Sequence, residues 1–89
     1  MIQIARTRQF DKHAKKRITG KLKRIYKKRL LLFIEDPYNP TLYNHELKWD
    51  FQGYRTFDIT ADFKIMFEII DKNRYLFVDC GTHNQLYNE

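Results

Sequence analysis

Apolar residues recur every three to four positions early in the chain and every second position later, so helices precede strands. At the start, Ile2 and Ile4 alternate with Gln3, which predicts a short first strand over Met1–Arg6. Thr7 is placed as a helix N-cap, its hydroxyl able to accept an orphan backbone N–H. Phe10, Ala14 and Ile18 then follow at helical spacing. Gly20 interrupts the pattern as a break or C-cap, and a second helix is predicted from about Thr19 to Glu35. Ile18, Leu22, Ile25, Tyr26, Leu32 and Phe33 share one stripe of that helix, with Lys21, Arg24, Lys27 and Lys28 away from it. Arg29 falls inside the stripe, a misfit. Leu30, Leu31 and Ile34 leave the helix end apolar all round, which calls for packing on two sides or a covering partner.

Asp36-Pro37-Tyr38-Asn39-Pro40 ends the helical region in a proline-bearing loop. Beyond it the period becomes two. Tyr54–Thr60 alternates, and Phe63, Ile65, Phe67 and Ile69 line one face of a strand with Lys64, Met66 and Glu68 on the other. Asp71-Lys72-Asn73 reads as a tight turn and Arg74–Cys80 as the next strand, after which Gly81 releases a tail, Thr82–Glu89. The expected fold is α+β: a small antiparallel sheet, made of the N-terminal strand plus three C-terminal strands, packed against two N-terminal helices. At 89 residues, 1–89 forms a single domain, without repeats or a linker.

Composition narrows the class. A hydrophobic fraction of 43% and an aromatic fraction of 16% exclude intrinsic disorder. The longest apolar run, Leu30–Ile34, is too short to span a membrane, the start lacks secretory features, and Cys80 is alone; a cytoplasmic location is expected. The net charge of +6 conceals a strong asymmetry. Residues 1–30 carry twelve Lys or Arg against one acid, Asp11, whereas residues 31–89 carry five bases and ten acids. A polyanion is the natural partner of the first third, with Lys12, Lys15, Lys16, Arg17, Lys21, Arg24, Lys27 and Lys28 as its candidate contacts.

The chain has no serine, so serine nucleophiles are excluded, and three isolated glycines cannot build a phosphate loop. One cysteine and scattered histidines give no metal-site spacing, and Cys80 fits better as a small core residue than as a nucleophile beside His83. Acid–base chemistry remains. His83 follows a strand end in a tail that carries Tyr87, and a surface histidine is the equal alternative. His45 follows the proline loop, where a loop hydrogen bond is its plainer reading; for His13, packing is. Asp58 and Asp62 flank a hairpin turn, which turn chemistry alone explains. Lys64 and Arg55 are strand cations, and a solvent-facing place explains Arg55 slightly better than RNA contact.

Several short motifs occur in a telling order. They are Asp36-Pro37-Tyr38-Asn39-Pro40-x-Leu42, Asn44-His45-x-Leu47, Gly53-Tyr54-Arg55, Phe63-Lys64-Ile65-Met66-Phe67 and Gly81-Thr82-His83 with Leu86-Tyr87. The set spans nearly the whole chain and resembles the RelE/ParE superfamily of bacterial type II toxin–antitoxin toxins, closest to the YafQ-like mRNA interferases. This resemblance implies a ribosome-dependent endoribonuclease that cuts mRNA in the A site by attack of a ribose 2′-OH on the adjacent phosphate. By the same resemblance His83 is the general acid, His45 a supporting or proton-transfer group, and Asp62 a base or histidine orienter. Lys64 stabilises the phosphate, and Tyr87 stacks on a base or positions the phosphate.

Two positions depart from the pattern. Asp58 stands where YafQ-like members usually have another histidine, and Thr56 replaces an acid; Asp58 is therefore a second candidate base. The implied partners are an acidic, amphipathic antitoxin, ribosomal RNA and mRNA, and operator DNA for the toxin–antitoxin complex. No cofactor or metal is implied. A ParE-like binder of DNA gyrase and a general RNA- or ribosome-binding protein are the alternatives.

Overall fold

The computed structural model describes residues 2–87; Met1 of the first predicted strand and Asn88 and Glu89 of the predicted tail lie outside the described residues. The elements are β1 (Gln3–Arg6), α1 (Arg8–Arg17), α2 (Lys21–Glu35), β2 (His45–Glu46), β3 (Arg55–Asp58), β4 (Phe63–Asp71), β5 (Arg74–Thr82) and α3 (His83–Tyr87). Single 3₁₀ turns at Pro40–Leu42 and Trp49–Phe51 lie before and after β2. The strands form one sheet in the order β1-β5-β4-β3-β2.

The α+β class and the helix pair are as expected, but the sheet is mixed. β1 pairs with β5 in parallel, Gln3 opposite Arg74 and Arg6 opposite Phe77, while β2 to β5 pair antiparallel. Residue alternation encodes which face a side chain takes, not the direction of the neighbouring strand, so this pairing was invisible to periodicity. The fifth strand, β2, has only two residues and is too short to show a period.

Thr7 caps α1 as expected, accepting from the Phe10 N–H at 3.0 Å, and its own hydroxyl donates to the Val78 carbonyl at 3.1 Å. One side chain thus ends β1, starts α1 and ties both to β5. Gly20 opens α2, which begins at Lys21 rather than near Thr19; its φ of 58° is the left-handed turn that separates the two helices. The misfit Arg29 is explained by the proline loop, where its guanidinium donates to the Thr41 carbonyl at 3.0 Å.

The helices cover one face of the sheet with Phe10, Ile18 and Phe33, which meet Phe57, Phe63, Ile65, Phe67, Tyr75, Phe77 and Cys80 in a single core. Phe33 is its hub. Its ring stacks on Phe57 with centroids 4.4 Å apart and meets Phe67, Tyr75 and Phe77 edge-on at 5.2 to 5.6 Å. On β5 the register against β4 slips near Val78, between Phe77 (opposite Phe67) and Asp79 (opposite Met66). That bulge changes the phase, so even-numbered Cys80 joins odd-numbered Tyr75 and Phe77 in the core. β5 also continues through Gly81 to Thr82, and the expected tail is instead the helix α3.

Leu31, at 68% exposure, is the part of the apolar helix end that the sheet leaves uncovered. Replacing Phe33 by Ala removes the hub ring and is expected to cost about 3–5 kcal/mol in a urea unfolding titration. Leu31→Ala in the same assay should shift stability by no more than about 0.5 kcal/mol.

Candidate active site

On the side of the sheet away from the core, His45, Lys64, His83 and Tyr87 line one cleft of about 440 Å³, closed on one flank by the segment Leu47–Phe51. These groups come from three separated stretches of chain, and each is held by its own local structure.

His45 lies on β2 directly opposite Thr56 of β3. Its Nδ1 is 2.9 Å from the Tyr43 carbonyl. A carbonyl can only accept, so Nδ1 carries the hydrogen, and in the neutral ring Nε2 keeps its lone pair. Nε2 faces the Thr56 hydroxyl at 3.5 Å, and the Tyr43 ring lies 4.5 Å from the imidazole. The loop that delivers His45 is pinned from behind. Leu42 is fully buried, Asn44 Nδ2 donates to the Pro37 carbonyl at 2.9 Å, and Arg55 Nε donates to Asn44 Oδ1 at 2.8 Å. The Arg55 guanidinium also sits 5.6 Å from the Tyr38 ring centre and 3.7 Å from Glu46. Expected as an RNA contact, Arg55 has a side chain that is 20% exposed and staples the proline loop to β3.

Asp58 and Lys64 face each other across β3 and β4, with Lys64 Nζ 2.8 Å from the Asp58 carboxylate. Both side chains are largely covered, at 20% and 15% exposure. Asp58 thus stands in the site as the holder of Lys64, which restricts the ammonium to one position. Asp62 is not brought to the cleft. It stands exposed in the Ile59–Asp62 turn, which Thr60 closes by accepting from the Phe63 N–H at 3.0 Å.

His83 is the first residue of α3, and a reciprocal cap fixes that helix. The Thr82 N–H donates to Gln85 Oε1 at 2.9 Å, and the Gln85 N–H donates to the Thr82 hydroxyl at 3.3 Å. The spacing Thr82-x-x-Gln85 was the legible signal for this helix. Buried Leu86 anchors its other side. The His83 ring meets Tyr87 at 4.7 Å, and Phe51 meets Tyr87 edge-on at 5.1 Å. Tyr87 hydrogen-bonds Thr56, whose side chain is fully buried, so Thr56 touches both Tyr87 and His45. Sequence reasoning noted Thr56 only as a departure from a pattern; here it links His45 on β2 to Tyr87 on α3. Burial pushes the Tyr87 phenol above its ordinary value, the nearby Asp58 charge adds to the rise, and the Thr56 hydrogen bond offsets part of it.

The junction before His83 is braced by α1. Arg17 donates to the Cys80 carbonyl at 2.8 Å and lies 3.8 Å from Asp79, which contacts His13 Nδ1 at 2.6 Å. A Cβ on Gly81 would approach Arg17 Nη1 and Gln85 to 2.9 Å, so glycine serves close packing there rather than release of the chain. Arg17, expected as an RNA contact, thus serves as a brace inside the molecule, and His13, expected to pack, makes a side-chain contact with Asp79. Burial pushes the Cys80 thiol up to about 12, which removes it as a nucleophile beside His83. The other expected RNA contacts, Lys12, Lys15, Lys16, Lys21, Arg24, Lys27 and Lys28, are all exposed. Among the described residues no three His, Cys, Asp or Glu side chains gather as a metal site, and no helix is long and apolar enough to cross a membrane.

Residues 2–88 match the family model described as the bacterial toxin of type II toxin–antitoxin system, YafQ. Among solved structures, the chain is similar to YafQ from Escherichia coli BL21(DE3), with 25% identity and a TM-score of 0.76 over 98% of this chain and 99% of that one. It is similar to YafQ in the E. coli DinJ–YafQ complex, with 28% identity and a TM-score of 0.69 over 98% and 99%. A metal-bound toxin from Helicobacter pylori is similar at 28% identity, with a TM-score of 0.74 over 97% and 99%. A comparison with curated protein sequences returns no match.

The arrangement around Tyr87 has a direct test in NMR titration of isotope-labelled tyrosine. Its phenol should titrate above the ordinary value of about 10. Thr56→Val, which removes the offsetting hydrogen bond, should raise that midpoint further, and Asp58→Asn, which removes the negative charge, should lower it.

Proposed function

This chain belongs to the YafQ family of toxins from bacterial type II toxin–antitoxin systems, and from that premise we propose that it is a ribosome-dependent endoribonuclease cutting mRNA in the A site. The observation that carries the proposal is the convergence of His45, Lys64, His83 and Tyr87 on one cleft large enough for a nucleotide.

In this reading the 2′-OH of one ribose attacks the adjacent phosphate, forming a 2′,3′-cyclic phosphate and releasing the next nucleotide's 5′-oxygen. His45 takes the 2′-OH proton through Nε2, the nitrogen its hydrogen bond to Tyr43 leaves without a hydrogen. His83 protonates the leaving 5′-oxygen. Lys64, held by Asp58, meets the charge that grows on the phosphorane, and pre-positioning it avoids reorganisation during the reaction. Tyr87 supplies a ring face and a protonated phenol beside His83. Asp62, expected as a base or orienter, takes no part, because it lies outside the cleft lining.

The exposed lysines and Arg24 of α1 and α2 are the sequence-neutral grip on ribosomal RNA phosphates. A cognate antitoxin, acidic and amphipathic, is the proposed protein partner. Its support is the E. coli relative crystallised in complex with DinJ, and the charge of the helical layer favours an acidic segment. Operator binding by such a complex belongs to the same proposal.

Primer extension on translated mRNA tests the roles. His83→Ala should slow cutting by roughly 10²–10⁴-fold, and Lys64→Met by about 10²–10³-fold. Asp62→Asn should cut like the unaltered chain. Wild-type cutting by His83→Ala would overturn the assignment.

A further inference from the structure

Trp49 is the chain's single tryptophan, and it is 90% exposed. It lies outside the core cluster yet lines the cleft with His45, Lys64 and His83. Its φ of 62° is left-handed, a conformation that a bulky side chain adopts at a cost and that glycine takes freely. The turn that carries it is fixed: the Phe51 N–H donates to Lys48, the Gln52 N–H to Trp49, and the Phe51 ring packs on Tyr87. A hydrogen-bonded turn thus anchors one aromatic side chain in the site and leaves another out in water at the cleft rim, in a lining that also includes Lys48. A strained backbone presenting an indole to solvent brings the fold no burial, so its return must come from a ligand.

We propose that Trp49 is a stacking platform for a nucleobase of single-stranded RNA, next to the nucleotide whose phosphate reacts between His45, Lys64 and His83. This rests on the endoribonuclease reading above. A flat, hydrated ring in a cleft that also carries Lys48 and Lys64 matches the chemistry of single-stranded RNA, whose bases offer π-faces and whose backbone offers phosphates. An apolar side chain of a protein partner is the competing occupant, and the test separates the two.

Because no other tryptophan is present, fluorescence excited at the red edge of indole absorption, where the six tyrosines do not absorb, reports on Trp49 alone. The chain is titrated with a short single-stranded RNA whose 2′-hydroxyls are methylated, so that it binds without being cut. A strand of equal length lacking bases serves as the second probe, and anisotropy of labelled strands measures binding independently. The base-bearing strand should quench the emission severalfold and the base-free strand should not. Trp49→Ala should weaken the base-bearing strand by roughly 5–100-fold and spare the base-free one. Trp49→Phe should recover most of the affinity. Trp49→Gly should melt at a higher temperature than the unaltered chain while binding as poorly as Trp49→Ala, an outcome a structural tryptophan would not give. Saturation without quenching, no binding at millimolar strand, unchanged affinity in Trp49→Ala, or quenching only by an acidic amphipathic peptide would each overturn the proposal. Quenching by a chain that fails to cut translated mRNA keeps the platform and removes the nuclease. Cutting at unchanged positions and KM in Trp49→Ala does the reverse.

Discussion

The ring of Phe33 is the contact on which the rest of the molecule depends. It reaches from α2 to aromatic residues on β3, β4 and β5, and so commits one face of three strands to the helices at a single point. In a chain of 89 residues, which buries only roughly 60–70% of its unfolded surface, one core must serve the whole fold. With that face occupied, every polar side chain on the alternate positions of β3 and β4 is turned to the other side. Lys64 reaches the cleft, with Asp58 and Thr56 beneath it as partners of its lining residues, because Phe57, Ile65 and Phe67 take the opposite face.

What the outer face then contains is a set of restraints more than a set of free groups. Asp58 holds Lys64, Tyr43 selects the tautomer of His45, and Thr56 bridges His45 and Tyr87. Arg55 and Arg17 act one layer behind, the first steadying the loop before His45 and the second the junction before His83. The strong basic bias of the first thirty residues therefore divides in two. Lysines of α1 and α2 stay exposed, while Arg17 and Arg29 donate to backbone carbonyls of the chain itself. Guanidinium suits that inward work, since its planar donors stay charged when partly covered.

Much of this was legible in the sequence. Periodicity located both helices, the long strands and most of the core, and the ordered motifs placed His45, Lys64, His83 and Tyr87 in one family pattern. The failures share a cause. β2 has too few residues for a period, the bulge near Val78 reverses the phase of β5, and the direction of β1 is a tertiary property. Arg17 and Arg55 read as surface cations because a sequence shows charge but not the carbonyl or amide that will meet it. Asp62 matched a motif, but a turn carries it away from the cleft. The helix that presents His83 was within reach, because Thr82-x-x-Gln85 is a capping sequence.

The strand order has a consequence for the birth of the protein. β5, synthesised last of the strands, lies between β1, synthesised first, and β4. Among the described residues β1 pairs with β5 alone, so the emerging chain cannot dock its own beginning until β5 has left the ribosome. The β4–β5 hairpin is local, but β1 joins it across nearly the entire length of the chain, a contact whose loop-closure entropy is met only at the end. α3 and His83 follow β5, so the cleft is completed in the same late step.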